Sequence, residues 1–517
     1  MIQNHNSDVV LIFPPVAKPA EPPAGIAQIK RAIETQGRRC TVIDSNLEGL
    51  LFLLHGADLP SPPSSLQTAW RNKEHNLARL RDLKTFQHPH RYRSAVLELN
   101  RVLAALARSH SATISLTDYQ HESLAPVRLQ DLYYAVEHPH ENPFYGYFET
   151  ILKSRIETEQ PAIIGLSLTY LSQALTTCAM IGWLRRTFPG VRLLLGGGLT
   201  TSWLCRPDGE KLLHGLADRL VKGAGETIVL QELGCNAERE TSYRPDYSDL
   251  NLSDYLSPAV IFPYSTSSGC YWRQCEFCPE SAEGHAFRPI AADQVFADID
   301  PNDKDKPGLI HFLDNALSPA LLRKFTQRSL PAPWYGYARF TEDLNDPEFC
   351  SALSRSGCVM LQLGLESGDQ GVLDGMKKGI SLESAGRTLL NLKKAGIAAF
   401  IYLLFGTPWE TETEAKRTIK FVVDHSECIQ FLNSAIFNLP VFSNEANHHQ
   451  THSFYDGDLA LYVDFHHPHD WNRGRVRRFL QNEFRTHPVI KKILNNNPPS
   501  FTSNHAPFFL SHFHFKG

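Results

Sequence analysis

The sequence predicts an α/β protein of two successive domains: a Rossmann-like domain, then a partial (β/α)6 barrel with an α-rich C-terminal tail. Three observations carry this prediction. Apolar runs of strand length alternate with helical runs over residues 1–50 and 156–240, and a second alternating series follows 259. A polar, turn-rich stretch, "RPDYSDLNLSDYLSP", separates the two. The second series holds six strands, which suits an open barrel whose active site lies at the strands' C-terminal ends.

In chain order, "DVVLIF", the helical "IAQIKRAIETQG" and "RRCTVIDSN" form the first βαβ unit. Residues 51 to about 155 break the rhythm. They are rich in His and Pro but contain "YRSAVLELNRVLAALARS", with Val96, Leu99, Leu103 and Leu106 at helical spacing, and are expected to be a helical insertion. Alternation resumes with "PAIIGLSLTY", "LSQALTTCAMIGWLRRTFPG", "VRLLLGGG" and "ADRLVKGAGE". The expected bounds are 1–240 for the first domain, 241–258 for a linker, 259–440 for the barrel and 441–517 for a C-terminal extension. The barrel strands are "AVIFPYS", "GLIHFLDNA", "WYGYARF", "VMLQLGLES", "AAFIYLLFG" and "SAIFNLP".

Composition excludes several classes. The chain of 517 residues is 42% hydrophobic and 21% charged, enough for two or three cores. The 51 Lys and Arg against 55 Asp and Glu give −4, which argues against a general polyanion binder. No apolar run approaches the roughly 20 residues that span a bilayer, and no basic segment precedes the first apolar stretch. A cytoplasmic protein without membrane or evident nucleic-acid partners is expected. Ten cysteines are too sparse for a disulfide scaffold, but Cys270, Cys275 and Cys278 cluster in "SSGCYWRQCEFCPE".

Three clustered thiols have two readings. With His285 they complete a tetrahedral zinc site; alone, they hold three irons of a [4Fe–4S] cluster and leave the fourth open. Spacing alone leaves both readings standing. The loop's position after an apolar strand, where barrel ligand loops sit, and the lack of a second Cys pair favour the cluster.

With these residues in view, the sequence resembles the radical S-adenosylmethionine (SAM) superfamily, specifically its cobalamin-binding-domain subgroup. The usual signature has three residues between the first two cysteines; here there are four, Tyr271 to Gln274, with Phe277 at the aromatic position. "FLDNALSP" resembles the second strand end, with Asp314 and Asn315 near cluster and SAM. "WYGYARF" resembles the third, with Arg339 in the barrel mouth. "LQLGLESG" resembles the fourth, with Glu366 and Ser367 near SAM. "LLFGTPWET" resembles the fifth, where Gly406 and Pro408 let backbone approach the adenine and Glu412 stabilises the turn. Taken singly, each has an ordinary role as strand-end cap, helix cap or turn residue.

The N-terminal segments resemble cobalamin-binding Rossmann domains. Ser167, Thr169 and the run Gly196, Gly197, Gly198 are the residues beside which a flat macrocycle would lie. The Asp-x-His-x-x-Gly that supplies a cobalt ligand is absent, since residues 14–25 hold neither Asp nor His. Glu226 in "VKGAGE" suits a helix start as well as a ligand contact. The His-rich patches "HPHENPF", "NHHQTH" and "HHPHD" suit solvated loops or substrate contact better than a metal site.

The resemblance implies reductive cleavage of SAM to a 5′-deoxyadenosyl radical, with cobalamin as the expected methyl carrier and a reductase or flavodoxin-like protein as electron donor. The alternatives are a radical SAM enzyme without cobalamin and a zinc-stabilised binding protein. The substrate is not legible.

Overall fold

The computed structural model describes residues 7–56, 63–235, 244–276, 278–299, 307–453, 456–497 and 505–512. Phe277 lies outside them. The chain divides into two compact units, one running to Val260 and including Asp456–Leu461, the other beginning at Ile261.

The first unit is built on a five-stranded parallel sheet. Its strands, in chain order, are Val9–Ile12, Cys40–Ile43, Ile163–Ser167, Arg192–Gly196 and Arg219–Leu220. Their spatial order is second, first, third, fourth, fifth. This is a doubly wound topology, whose crevice opens where the winding reverses, between the first and third strands. The strands read as continuous apolar runs because both faces are covered: Val9, Val10 and Ile12 are fully buried.

The insertion is mainly helical, as its spacing predicts. The helix Pro89–Ala107 buries Val96, Leu99 and Leu103 completely, with Leu106 half-buried. The segment also carries an antiparallel hairpin, Ala112–Ile114 with Tyr119–His121, whose three-residue strands are too short to show a period of two.

The stretch 244–258, read above as a linker, is fastened to the first unit. Lys30, 2% exposed, holds Asp249 at 2.7 Å and Ser248 at 2.8 Å, while Asp249 also accepts the Val42 amide at 2.8 Å. Tyr255 donates to the buried carboxylate of Asp44 at 2.7 Å. These charges and hydroxyls, with the buried Tyr247, Tyr255 and Leu256, hold the segment, while its polar composition resembles that of a loose connection.

The second unit contains six parallel strands: Ile261–Tyr264, Leu309–Phe312, Trp334–Ala338, Cys358–Glu366, Ala398–Phe405 and Phe431–Ile436. They lie side by side in sequential order, the topology of a partial (β/α)6 barrel. Intervening helices carry the caps their sequences dictate: Ser381 accepts from Ser384, and Asp369 from Val372.

Beyond the sixth strand, the tail contributes helices Arg473–Phe479 and Pro488–Asn496 and a small antiparallel sheet of Leu439–Pro440, Thr451–His452 and Tyr462–Phe465. Aromatic rings anchor it to the barrel. Phe484 meets Phe405 edge-on at 5.1 Å, and His505 sits 4.5 Å from both Phe400 and Phe431. Among the described residues, no helix is long and apolar enough to cross a membrane.

Candidate active site

Cys270, Cys275 and Cys278 sit on the loop after the first barrel strand, each half-buried and none in a disulfide. Gly269 opens the loop in the left-handed region (φ +68°); a Cβ there would meet the Ala286 carbonyl at 2.6 Å, so only glycine fits. Within the four-residue gap, exposed Arg273 adopts a left-handed conformation (φ +51°). The neighbouring Trp272 lies against the loop after the helix Gln370–Gly375. The Trp272 indole N–H donates to the Lys377 carbonyl at 3.2 Å, and the ring covers Gly379.

The two ligand readings ask for different sulfur spacings. A tetrahedral zinc at about 2.3 Å from each sulfur brings them within about 3.8 Å of one another, whereas thiolates on separate irons of a cluster stand farther apart. Among the described residues, the one group of three or more metal-ligating side chains with ligand atoms all within 4.8 Å is Glu280, Glu283 and His285, without any cysteine. His285 pairs with Glu280 at 3.0 Å. Burial holds the Cys278 thiol above its ordinary value, so its thiolate form calls for a cation.

The other expected site residues fall into two groups. Asp314, Arg339 and Ser367 are buried and engaged by the protein. Asp314 accepts from the Thr266 amide and hydroxyl at 3.0 and 2.7 Å and from the Ser267 hydroxyl at 2.5 Å, bracing the second strand end against the start of the cysteine loop. Ser367 meets the Thr418 hydroxyl at 3.3 Å and accepts the Asp369 amide at 3.1 Å. Arg339 donates to the Cys275 sulfur at 3.6 Å and to the Lys378 carbonyl. Asn315 and Glu366 are less enclosed. Asn315 is exposed at the second strand's end. Glu366 stands at a bulge in the fourth strand with φ +68° and pairs with Lys378 at 2.6 Å, and the missing side chain of Gly364 makes room for both.

At the end of the fifth strand, Gly406 (φ +81°) gives its amide to Glu410 at 2.5 Å, and Trp471 gives its indole N–H to the same carboxylate oxygen at 3.0 Å. Pro408 is half-buried in the turn between them. Glu410 is fully buried and its second oxygen has no partner. Burial pushes its carboxyl up to about 7, against the lowering effect of the two N–H donors. The stabilising role expected of Glu412 thus belongs to Glu410: Glu412 is exposed in the first turn of the next helix and pairs with Lys416 at 2.6 Å. The signal available was an acid directly after the apolar "FGTPW".

Nearby, a cavity of about 340 Å³ is lined by His452, Asp464, His466, His467, Asp470 and Arg473 among others. The buried His467 ring nitrogen lies 2.8 Å from the Thr407 carbonyl, tying the "HHPHD" patch to the fifth strand end.

In the first unit, the crevice between the first and third strands is stitched by Gln173. Its side-chain oxygen accepts the Thr169 and Tyr170 amides at 2.9 Å each, and its nitrogen donates to the Pro14 carbonyl at 2.6 Å. Ser167 and Thr169 are half-buried with hydroxyls 3.4 Å apart. Gly197 (φ +101°) is used for loop packing, since a Cβ would lie 2.4 Å from the Leu168 carbonyl. Gly196 is close-packed on Val221, while Gly198 is exposed. Exposed Tyr170 and Leu171 add apolar surface beside Thr169. Burial raises the Glu226 carboxyl above its ordinary value.

No family model matches the chain. The fold is similar to that of the radical SAM methyltransferase TsrM from Kitasatospora setae, solved with cobalamin and a [4Fe–4S] cluster bound: TM-score 0.51 at 15% identity, over 84% of this chain and 76% of that one. It is also similar to the cobalamin-dependent SAM radical enzyme OxsB, solved with aqua-cobalamin and SAM bound: TM-score 0.51 at 12% identity, over 83% of this chain and 53% of that one. By sequence, an uncharacterized methyltransferase of Pyrococcus horikoshii is 26% identical over 190 residues, 34% of this chain and 40% of the relative. The bacteriochlorophyllide d C-12(1)-methyltransferase of Chlorobaculum tepidum is 26% identical over 191 residues, 35% of this chain and 41% of the relative. The chain therefore matches about two fifths of the length of these relatives. The fold shared with these structures is a Rossmann-like unit joined in one chain to a partial (β/α)6 barrel.

Proposed function

We propose that the chain is a radical SAM enzyme that uses cobalamin to transfer a methyl group. The observation that carries this is the cysteine loop: three half-buried thiols on one loop after the first strand of a sequential six-stranded parallel sheet. Cys270, Cys275 and Cys278 would hold a [4Fe–4S] cluster, and Ser167, Thr169 and Gly198 would face cobalamin at the switch point. When bound, the cluster and SAM supply one-electron cleavage of SAM, and cobalamin supplies a methyl carrier.

The chain's own residues bind and orient. Asp314 fixes the cysteine loop, and Asn315 and Glu366 offer polar groups to the amino acid or ribose part of SAM, with Lys378 balancing the Glu366 charge. Gly406, Pro408 and Glu410 shape the turn that would lie under the adenine. The cavity lined by His452, His466 and Arg473 supplies polar groups suited to a substrate with hydrogen-bonding capacity. Electrons would come from a reductase or flavodoxin-like donor.

The absence of an imidazole in the turn after the first strand favours a second reading on one point, an enzyme of this fold without cobalamin. Iron, sulfide, zinc and corrin measured per chain after anaerobic reconstitution with iron, sulfide and hydroxocobalamin test both readings. The expected result is four irons, four sulfides and one corrin. Iron and sulfide without corrin would favour the second reading, and a colourless protein with one zinc would overturn both.

A further inference from the structure

We propose that Arg339 sets the reduction potential of the cluster by donating a guanidinium N–H to the Cys275 thiolate, and that Trp272 and Gly379 form the clamp that holds it there. The inference rests on the cluster reading above. Arg339 follows the third strand and is 7% exposed, yet no carboxylate among the described residues pairs with its charge. It reaches the Cys275 sulfur at 3.6 Å, the Lys378 carbonyl and the face of Trp272 at 4.4 Å, and its charge also acts on the Tyr271 hydroxyl. A buried cation without an anion is costly, and an iron-bound thiolate is the anion this one faces.

The clamp begins in the four-residue gap. Beside the left-handed Arg273, Trp272 lies over Gly379, which itself adopts φ +67°; a Cβ there would stand 2.1 Å from the indole Cζ2. The indole N–H on the Lys377 carbonyl and the Glu276 amide on the Met376 carbonyl at 3.3 Å fasten the same two loops together. The guanidinium is thus stacked on one side, hydrogen-bonded on another and aimed at sulfur. Reduction adds negative charge to the cluster and its thiolates, so a fixed cationic donor at a ligating sulfur stabilises the reduced form more than the oxidised one. Arg339 is a positioning residue in this account.

The test is a redox titration of the reconstituted full-length chain, following the reduced cluster by electron paramagnetic resonance. Arg339→Gln is expected to keep its iron and sulfide and to lower the reduced fraction at a fixed poise about tenfold, about 59 mV for one electron. Arg339→Lys, which keeps the charge but not the stacked fork, should fall between. Gly379→Ala, which displaces Trp272 while leaving Arg339 in the chain, should shift the potential the same way by less. Cluster-loaded Arg339→Gln and Arg339→Lys chains titrating at the wild-type potential would overturn this inference alone. A wild-type chain that takes up neither iron nor sulfide would overturn the cluster reading and this inference with it.

Discussion

Cys275→Ala is expected to leave the chain folded and to remove its iron and sulfide, together with all SAM-dependent chemistry. If the three thiols hold three irons, as proposed, losing one would expose a second iron to solvent and to exchange. The loss should exceed the roughly 10- to 100-fold in metal affinity that removal of an outer-shell partner costs. Cys350→Ala is the matched control. That sulfur is fully buried, its thiol is pushed up to about 12 by burial, and it donates to the Leu344 carbonyl at 3.4 Å. Its loss should cost stability and leave iron content unchanged. Iron and sulfide analysis of both variants separates ligand thiols from core thiols, and equal loss in the two would contradict the assignment.

Glu410→Gln is expected to change how stability depends on pH. The folded chain holds a proton on Glu410 up to about pH 7, whereas the unfolded chain releases it near the ordinary glutamate value of about 4.3. A raised carboxyl pKa means that folding binds a proton, so stability is highest below the unfolded value and falls as pH rises through the folded one. Over that window, Glu410 makes the wild type lose on the order of 3 kcal/mol. Glutamine retains an acceptor for the Gly406 amide and the Trp471 indole but does not titrate. Urea unfolding of both proteins at a series of pH values should show the wild type falling relative to the variant between about pH 4.5 and 7. Parallel curves would show that Glu410 stays ionised throughout.

The parts legible in the sequence were those with a period or a fixed local spacing. Continuous apolar runs gave both parallel sheets, and the spacing of Val96, Leu99 and Leu103 gave the long helix of the insertion. The sixth barrel strand begins at Phe431, three residues ahead of the apolar "SAIFNLP" run, because "IQFLN" mixes polar and apolar residues where the strand leaves the preceding turn. The cysteine cluster stands out in the sequence because its three thiols share one loop. Contacts made at long sequence separation were not. Nothing near Arg339 announces Cys275, 64 positions away, and nothing near Glu410 announces Trp471, 61 positions away. The charged cluster around Lys30 was hidden for the same reason: its partners Ser248 and Asp249 lie in a stretch whose composition reads as a connection.

The first unit is where composition and geometry diverge most. The glycine run after its fourth strand suggested three residues beside a macrocycle, yet Gly196 and Gly197 are packed against Val221 and Leu168, and Gly198 alone is exposed. A glycine run permits close approach without specifying whether backbone or ligand makes it.

The central claim is that the barrel unit reduces and cleaves SAM at the three cysteines. The most direct measurement is anaerobic incubation of the reconstituted chain with SAM and dithionite, with quantification of 5′-deoxyadenosine and methionine. The account predicts both products in equal amounts, dependent on reductant and absent from Cys275→Ala. A chain carrying its full complement of iron and sulfide that yields neither product would contradict it.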